Sequence, residues 1–373
     1  MPSFAELQEI GLAGGLHVLG ACDASPFAET RQILEDRRDA GLSGSMQFTY
    51  RNPTRSTTPE ATLPGARTLL VGARSYHRDA PAPPIGRGPV ARVARYVWAD
   101  DHDLLLAGLG AVAERLRADG HRAVVLADQN NLVDRAVAAR AGIGWFGKNA
   151  NLLLPGRGSW YVLGSVLTDA EPSDLPATDP VADGCGTCTR CLEACPTGAI
   201  VAPGVVDARQ CLSWSLQVTG PFPREHRIPL GDRLYGCDDC QEVCPPNRRE
   251  QRRSEPVGPA DPERAWVPLL GVLAATDAEL LDRHGRWYIP KREARYLRRN
   301  ALVVLGNVGD AADPAVRRAL VGALGDADPL LRSHAVWAAR RLGCDDLLVT
   351  VHDDPDPEVR AELAAPVVRR VPA

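Results

Sequence analysis

No stretch of about 18 consecutive apolar residues occurs in the chain, so no membrane-spanning helix is expected. The first residues, Met1-Pro-Ser-Phe-Ala-Glu-Leu-Gln8, have neither a basic start nor an apolar core, so no export signal is expected. Neither G-x-G-x-x-G nor a P-loop stands between a strand-like run and a helix-like one, which argues against the usual dinucleotide and triphosphate cradles. The nearest candidate, Ala141-Gly-Ile-Gly144-Trp-Phe-Gly147, does not follow a strand. Charge of one sign is not in excess either: the net charge is −4, so only local charge can favour a polyanion. The 373 residues leave room for two or three domains, and 45% hydrophobic with 24% charged residues is ordinary for a soluble globular chain.

What is present in force is cysteine, concentrated in one place. Eight of the ten cysteines lie between Cys185 and Cys244. The first block, Cys185-Gly-Thr-Cys188-Thr-Arg-Cys191-Leu-Glu-Ala-Cys195-Pro196, is the C-x2-C-x2-C-x3-C-P run of bacterial [4Fe–4S] ferredoxins. A second block follows: Cys211, then Cys237-Asp-Asp-Cys240-Gln-Glu-Val-Cys244-Pro245. In two-cluster ferredoxins the fourth cysteine of a run ligates the other cluster. The expected ligand sets are therefore Cys185, Cys188, Cys191 and Cys244 for one cluster, and Cys195, Cys211, Cys237 and Cys240 for the other. Structural zinc prefers paired C-x2-C blocks, and disulfides do not suit a chain expected in the reducing cytoplasm. Cys22 and Cys344 read as ordinary buried thiols.

Before this module, apolar residues at helical spacing predict helices over Ala5–Gly20, Pro26–Gly41, Asp101–Gly120 and Asn131–Ala141. Short apolar runs bounded by turn residues predict strands at Arg67–Ser75, Arg122–Asp128 and Trp160–Thr168. Such alternation gives an α/β or α+β domain. Asp128 ends a strand before the polar turn Gln129-Asn130-Asn131; it reads either as a turn former or cap, or as a catalytic acid. Asp134, followed by Arg135, reads as a salt-bridge former. Gly156-Arg-Gly158-Ser159-Trp160 is a loop whose glycines admit a close backbone approach, to a ligand or within a hairpin turn. His102 reads as a helix-face residue.

After the module come Asn247-Arg-Arg-Glu-Gln-Arg-Arg253, basic and linker-like, and a proline-rich stretch to Pro262. Tyr296–Gly309 then recurs as Leu330–Gly343, offset by 34 residues. Asp313-Pro, Asp328-Pro and Asp356-Pro read as helix starts with an Asp N-cap and Pro at the first helical position. This is a HEAT-like helical repeat. Arg283–Arg299 carries seven basic residues (Arg283, Arg286, Lys291, Arg292, Arg295, Arg298, Arg299) against Glu293, with Trp287, Tyr288 and Tyr296 interleaved. Such a segment suits RNA phosphates and unpaired bases, or else is a solvated helix face over core aromatics.

Together these blocks carry a resemblance. Asp128, Asp134-Arg-Ala-Val-Ala, Gly144-Trp, Gly147-Lys148-Asn149, Gly158-Ser159-Trp160, Cys211-Leu-Ser-Trp and Arg233-Leu-Tyr-Gly-Cys237 through Pro245 resemble the epoxyqueuosine reductases. The likeness runs from near the N-terminus past residue 340. It implies reduction of epoxyqueuosine to queuosine in the tRNA anticodon loop, with cobalamin, base-off and without a protein histidine on cobalt, beside two [4Fe–4S] clusters. It makes Asp128 the proton donor, places Leu152, Leu163, Ser213, Cys237 and Asp238 at the cobalamin, and puts Arg292 and Arg295 nearest the tRNA. The implied partners are a tRNA and an unidentified low-potential electron donor, with a cytoplasmic monomer away from membranes. The implied division is a cobalamin-binding α/β (α+β) domain over 1–178, a ferredoxin-like module with linker over 179–260, and a HEAT-like, tRNA-binding domain over 261–373. The chain departs from the family at Ser56, where an arginine is frequent, and at Trp98-Ala-Asp-Asp-His-Asp103, where the family has Trp-Gly-x-Asp-Tyr-His. The alternatives are a dehalogenase-like cobalamin reductase of a small molecule and a plain ferredoxin-type carrier.

Overall fold

The structure is a computed structural model. It describes every residue except 87, 254–255 and 371–373, and of 250–253 the backbone alone, so the far end of the basic stretch Asn247–Arg253 lies outside the described side chains. The chain forms two compact units. One comprises Met1–Asp79, Ala99–Arg209 and Asp238–Pro259; the other comprises Ala80–Trp98, Gln210–Cys237 and Ala260–Ala373. Among the described residues no helix is long and apolar enough to cross a membrane.

The first unit is built on a four-stranded sheet in the order Val18–Asp23, Thr68–Ser75, Tyr161–Thr168, Ala123–Leu126. All three pairings are antiparallel, so the domain is of the α+β kind. Side chains alternate across a strand: Leu69, Val71 and Ala73 enter one core with Val137 and Leu152, while Leu70 enters another with Leu7, Leu105 and Leu109. The helices Phe4–Ala13, Ala28–Asp39, Asp101–Ala118 and Asp134–Arg140 supply the rest.

One expected element is wrong. The helix expected over Ala5–Gly20 ends at Ala13, and Val18–Asp23 is an edge strand. Gly15 takes φ +107 and breaks the helix, and a Cβ on Gly14 would lie 2.8 Å from the Gly108 backbone, so the chain must turn here and be small. The Gly142–Gly147 stretch follows the helix Asp134–Arg140 and leads into a small hairpin, Trp145–Phe146 with Leu152–Leu153. His102 lies in the first turn of its helix, as expected.

In the second unit, Val90–Val93 is the middle of a three-stranded sheet between Arg233–Tyr235 and Trp266–Pro268. The repeat helices Arg295–Val308 and Pro329–Leu342 match the sequence offset of 34 residues at both ends. Asp313, Asp328 and Asp356 cap their helices by accepting the N–H groups of Ala315, Leu330 and Glu358, each with Pro at the helix start.

Candidate redox and catalytic site

Cys185, Cys188, Cys191, Cys195, Cys240 and Cys244 lie in the first unit, where polar bolts position their segments. Leu154 and Gly158 exchange backbone hydrogen bonds, which closes the Gly156–Gly158 stretch into a tight turn. The close approach foreseen at Gly158 is to protein: a Cβ there would meet Asn247 Oδ1 at 2.1 Å. Asn247 is fully buried, accepts the Ser159 N–H at 2.6 Å, and donates to Ser159 Oγ at 2.9 Å and the Gln241 carbonyl at 2.8 Å. Ser159 Oγ in turn donates to Gln241 Oε1 at 2.9 Å. The block carrying Cys240 and Cys244 is thereby held against the turn that opens the central strand Tyr161–Thr168.

The segment Gly147-Lys148-Asn149 reaches both cysteine blocks. Lys148 Nζ donates to the Gly186 carbonyl at 2.6 Å, inside the Cys185–Cys188 loop, and Asn149 Nδ2 donates to the Cys240 carbonyl at 3.3 Å. Sequence reasoning quoted these residues but assigned them no role.

Cys185, Cys188, Cys191 and Cys244 are brought together. Burial first, and then the nearby Cys185, Cys191 and Cys188, together push the Cys244 thiol up to about 11. Burial likewise raises Cys191, with Cys185 and Cys188 adding to it. Cys195 Sγ accepts the Ala199 N–H at 3.2 Å. Cys211 is the N-cap residue of the short helix Leu212–Ser215, and Cys237 follows the strand Arg233–Tyr235. Among the described residues no three His, Cys, Asp or Glu side chains close on a single-ion site. Cys22 and Cys344 are buried thiols; burial pushes Cys22 up to about 12.

Asp128 stands just past the strand Ala123–Leu126, exposed, with φ 52. An aspartate tolerates this left-handed conformation better than most residues, yet it remains strained. Asp134 is not the expected salt-bridge former. Its carboxylate accepts the Asp128 backbone N–H, while Arg135 turns to the Ala150 carbonyl. Asp134 keeps part of its surface accessible, but surrounding protein strips water from the carboxyl and the Asp128 charge repels it, which together push it up to about 7. Leu152 is buried and Leu163 half-buried on the same apolar cluster; Tyr161 and Leu163, at the start of the central strand, stay partly uncovered. Asp238 is buried, and Ser213 lies in the helix Leu212–Ser215. At the departure Trp98–Asp103, Asp101 is fully buried and paired with Arg74 at 3.2 Å and with Arg78.

The basic segment is thinner than its sequence suggests. Arg299 is fully buried, donating to the carbonyls of Val218 and Gly220 at 2.7 Å each, to Ser215 and Leu216, and to Asn300. It cannot meet a phosphate. Trp287 stacks on Tyr235 at 4.6 Å, and Tyr296 is buried, so neither is a base-stacking platform; Tyr288 remains 59% exposed. Arg298 pairs with Asp277 at 2.5 Å and Arg295 with Asp328 at 2.9 Å. Lys291 and Arg292 are exposed and both left-handed, with φ 52 and 59, and Arg292 donates to the Gly285 carbonyl.

Residues 184–247 match a 4Fe-4S double cluster binding domain, and residues 289–365 match HEAT repeats. The epoxyqueuosine reductase of Bacillus subtilis is 33% identical across 96% of this chain and 93% of its own length; that of Xanthomonas campestris is 36% identical across 81% and 86%. A crystal structure of epoxyqueuosine reductase with an epoxyqueuosine-modified tRNA-Tyr stem loop superposes at TM-score 0.85 and 32% identity, covering 96% of both chains. A Bacillus subtilis epoxyqueuosine reductase structure whose catalytic aspartate loop is swung out of the active site superposes at TM-score 0.84, with 31% identity and the same coverage. With a double-cluster cysteine module, a HEAT repeat and this identity over nearly its whole length, the chain belongs to the epoxyqueuosine reductase family.

Proposed function

We propose that this protein is an oxidoreductase that reduces epoxyqueuosine to queuosine in the anticodon loop of tRNA. The observation that carries the reading is the superposition, over 96% of both chains, on a reductase holding an epoxyqueuosine-modified stem loop. Converting the epoxide to an alkene releases its oxygen as water and consumes two electrons and two protons. The electrons need a one-electron relay, for which the double-cluster module is suited. Its proposed ligand sets are Cys185, Cys188, Cys191 and Cys244, and Cys195, Cys211, Cys237 and Cys240. The proximity of Cys244 to Cys185, Cys188 and Cys191 supports the first set.

Asp128 is the proposed proton donor: its carboxyl is exposed at the end of a strand, where substrate can reach it. The partly uncovered Leu163, on one apolar cluster with buried Leu152, suits an apolar macrocycle, and by resemblance Ser213, Cys237 and Asp238 complete the cobalamin contacts. When bound, cobalamin would supply a strongly reducing cobalt centre. Lys291 and Arg292 are the proposed first contacts for tRNA phosphates, with Arg295 beside them. The three stretches 1–178, 179–260 and 261–373 then divide the work into chemistry, electron relay and tRNA binding, in the cytoplasm.

The test is an anaerobic single-turnover assay: protein reconstituted with iron, sulfide and cobalamin, a chemical reductant, and tRNA containing epoxyqueuosine, followed by nucleoside analysis. Queuosine is the expected product. Intact epoxyqueuosine from fully loaded protein that binds the tRNA would overturn the reading.

A further inference from the structure

The strained Asp128 sits in a loop that is exposed from Asp128 to Asn130. A residue held off its preferred backbone persists only where its surroundings over-determine it. Little apolar packing is available to a segment so open, so the hold must come from polar tethers. One is the Ser56 hydroxyl, which donates to the Asn130 carbonyl at 2.7 Å. Ser56 is 2% exposed and ends the short helix Pro53–Ser56, itself capped by Asn52. Its next residue is anchored as well: Thr57 Oγ1 donates to the Pro53 carbonyl at 2.7 Å, and the Thr57 carbonyl accepts the Phe27 N–H at 2.8 Å. The tether therefore runs from a fixed post to an exposed loop. A second tether, Asn131 Nδ2 to Thr62 Oγ1 at 3.0 Å, holds the far side.

The energetics make Ser56 a latch. When the loop lifts, the exposed Asn130 carbonyl turns to water at little cost, whereas the buried Ser56 hydroxyl loses its short partner and keeps only the Thr49 carbonyl at 3.4 Å. An unsatisfied buried hydroxyl is costly. The latched loop is thus favoured by the amount that one buried hydrogen bond contributes, enough to set its population and small enough to let it open.

We infer that Ser56 is a positioning residue for proton delivery: through the Asn130 carbonyl it holds the Asp128 loop in place, at a position where the family frequently carries an arginine. The inference rests on the reading of Asp128 as the proton donor. It predicts that the hydroxyl, and not the volume, of residue 56 matters.

The test compares wild type, Ser56→Ala and Ser56→Thr, as cluster-loaded full chains. Amide hydrogen exchange is measured without tRNA. In Ser56→Ala the amides of residues 129–133 should exchange about fivefold faster while the helix Asp101–Ala118 is unchanged, and Ser56→Thr should restore protection. In the single-turnover assay, Ser56→Ala should lower the rate at saturating tRNA, by less than the fivefold seen in exchange because the latched loop stays the major state, with half-saturation unchanged. Unchanged loop exchange in Ser56→Ala overturns the latch, as does faster exchange spread through the whole first unit. If wild type itself forms no queuosine, the proposed reaction falls, and the exchange data still decide the latch.

Discussion

Asn247 and Ser159 hold each other through two contacts: Asn247 Oδ1 accepts the Ser159 N–H at 2.6 Å, and Asn247 Nδ2 donates to Ser159 Oγ at 2.9 Å. Because Asn247 is fully buried, truncation leaves the Ser159 N–H without its partner and the Gln241 carbonyl with only the Cys244 N–H at 3.1 Å. Each such loss costs about 1–3 kcal/mol. Asn247→Ala should lower the melting temperature and, since Asn247 lies three residues past Cys244, reduce the iron and sulfide bound per chain. Gly158→Ala should do the same, because its methyl would collide with Asn247 Oδ1 and its φ of +73 disfavours a side chain. Melting curves and metal analysis after identical reconstitution check both; full iron loading in both variants would separate this contact from the cluster.

The Asp134 carboxyl, held up to about 7 against an ordinary 3.8, gives a signed pH dependence. The folded chain keeps this proton across a window in which the unfolded chain has lost it. The stabilisation is therefore fully present below about pH 4 and is lost as pH rises through about 7. Asp134→Asn, which is neutral at every pH, should remove this component. The variant should gain stability relative to wild type as pH rises from 5 to 8. Melting temperatures of the two proteins across that range, read as a difference, check the sign; a difference that is flat or falls with pH would show that Asp134 ionises normally.

How much of this was legible in sequence depends on the distance over which each feature is decided. The double-cluster module was readable because C-x2-C-x2-C-x3-C-P is a local pattern. The Asp-Pro helix starts were readable for the same reason, and all three caps form. The roles of Lys148 and Asn149 were not, because their partners lie 38 and 91 residues away. Leu16–Gly20 was misread as helix because a short apolar run carries no period of its own; the break at Gly15 and the pairing with Thr68–Ser75 decided it. Arg299 was misread because a charge run does not reveal which of its members faces inward.

Arg299 supplies a stability prediction. Burial pushes its guanidinium down to about 9, yet it is held by four backbone carbonyls between Ser215 and Gly220. A lysine carries fewer donors and no planar fork, so Arg299→Lys satisfies part of the set and Arg299→Met none. Losing these hydrogen bonds, although Leu216 keeps the Asn300 amide, should cost about 3 kcal/mol or more. Arg299→Met should melt well below Arg299→Lys, which should itself melt below wild type. Under urea, both variants should lose stability at unchanged tRNA affinity of the folded protein.

The tRNA contact should instead rest on Lys291 and Arg292. Two consecutive non-glycine residues in the left-handed region cost about 1–3 kcal/mol each, a strain that persists where a segment is shaped for a task. The turn at Pro290–Arg292 leaves both residues exposed, Arg292 with one donor on the Gly285 carbonyl, whereas Arg298 is half-buried on Asp277 and Arg299 is fully buried. A cation that neutralises one phosphate releases its counterion, so each contact adds about 1 to the slope of log affinity against log salt. Lys291→Ala and Arg292→Ala should therefore weaken binding of an anticodon stem loop and flatten that slope by about 1 apiece, with melting temperature preserved. Tyr288→Ala should weaken binding without changing the slope, because stacking is uncharged. Anisotropy titrations over a salt series separate the two effects. If Lys291→Ala and Arg292→Ala both kept the wild-type slope, the phosphates would have to be met elsewhere on the repeat.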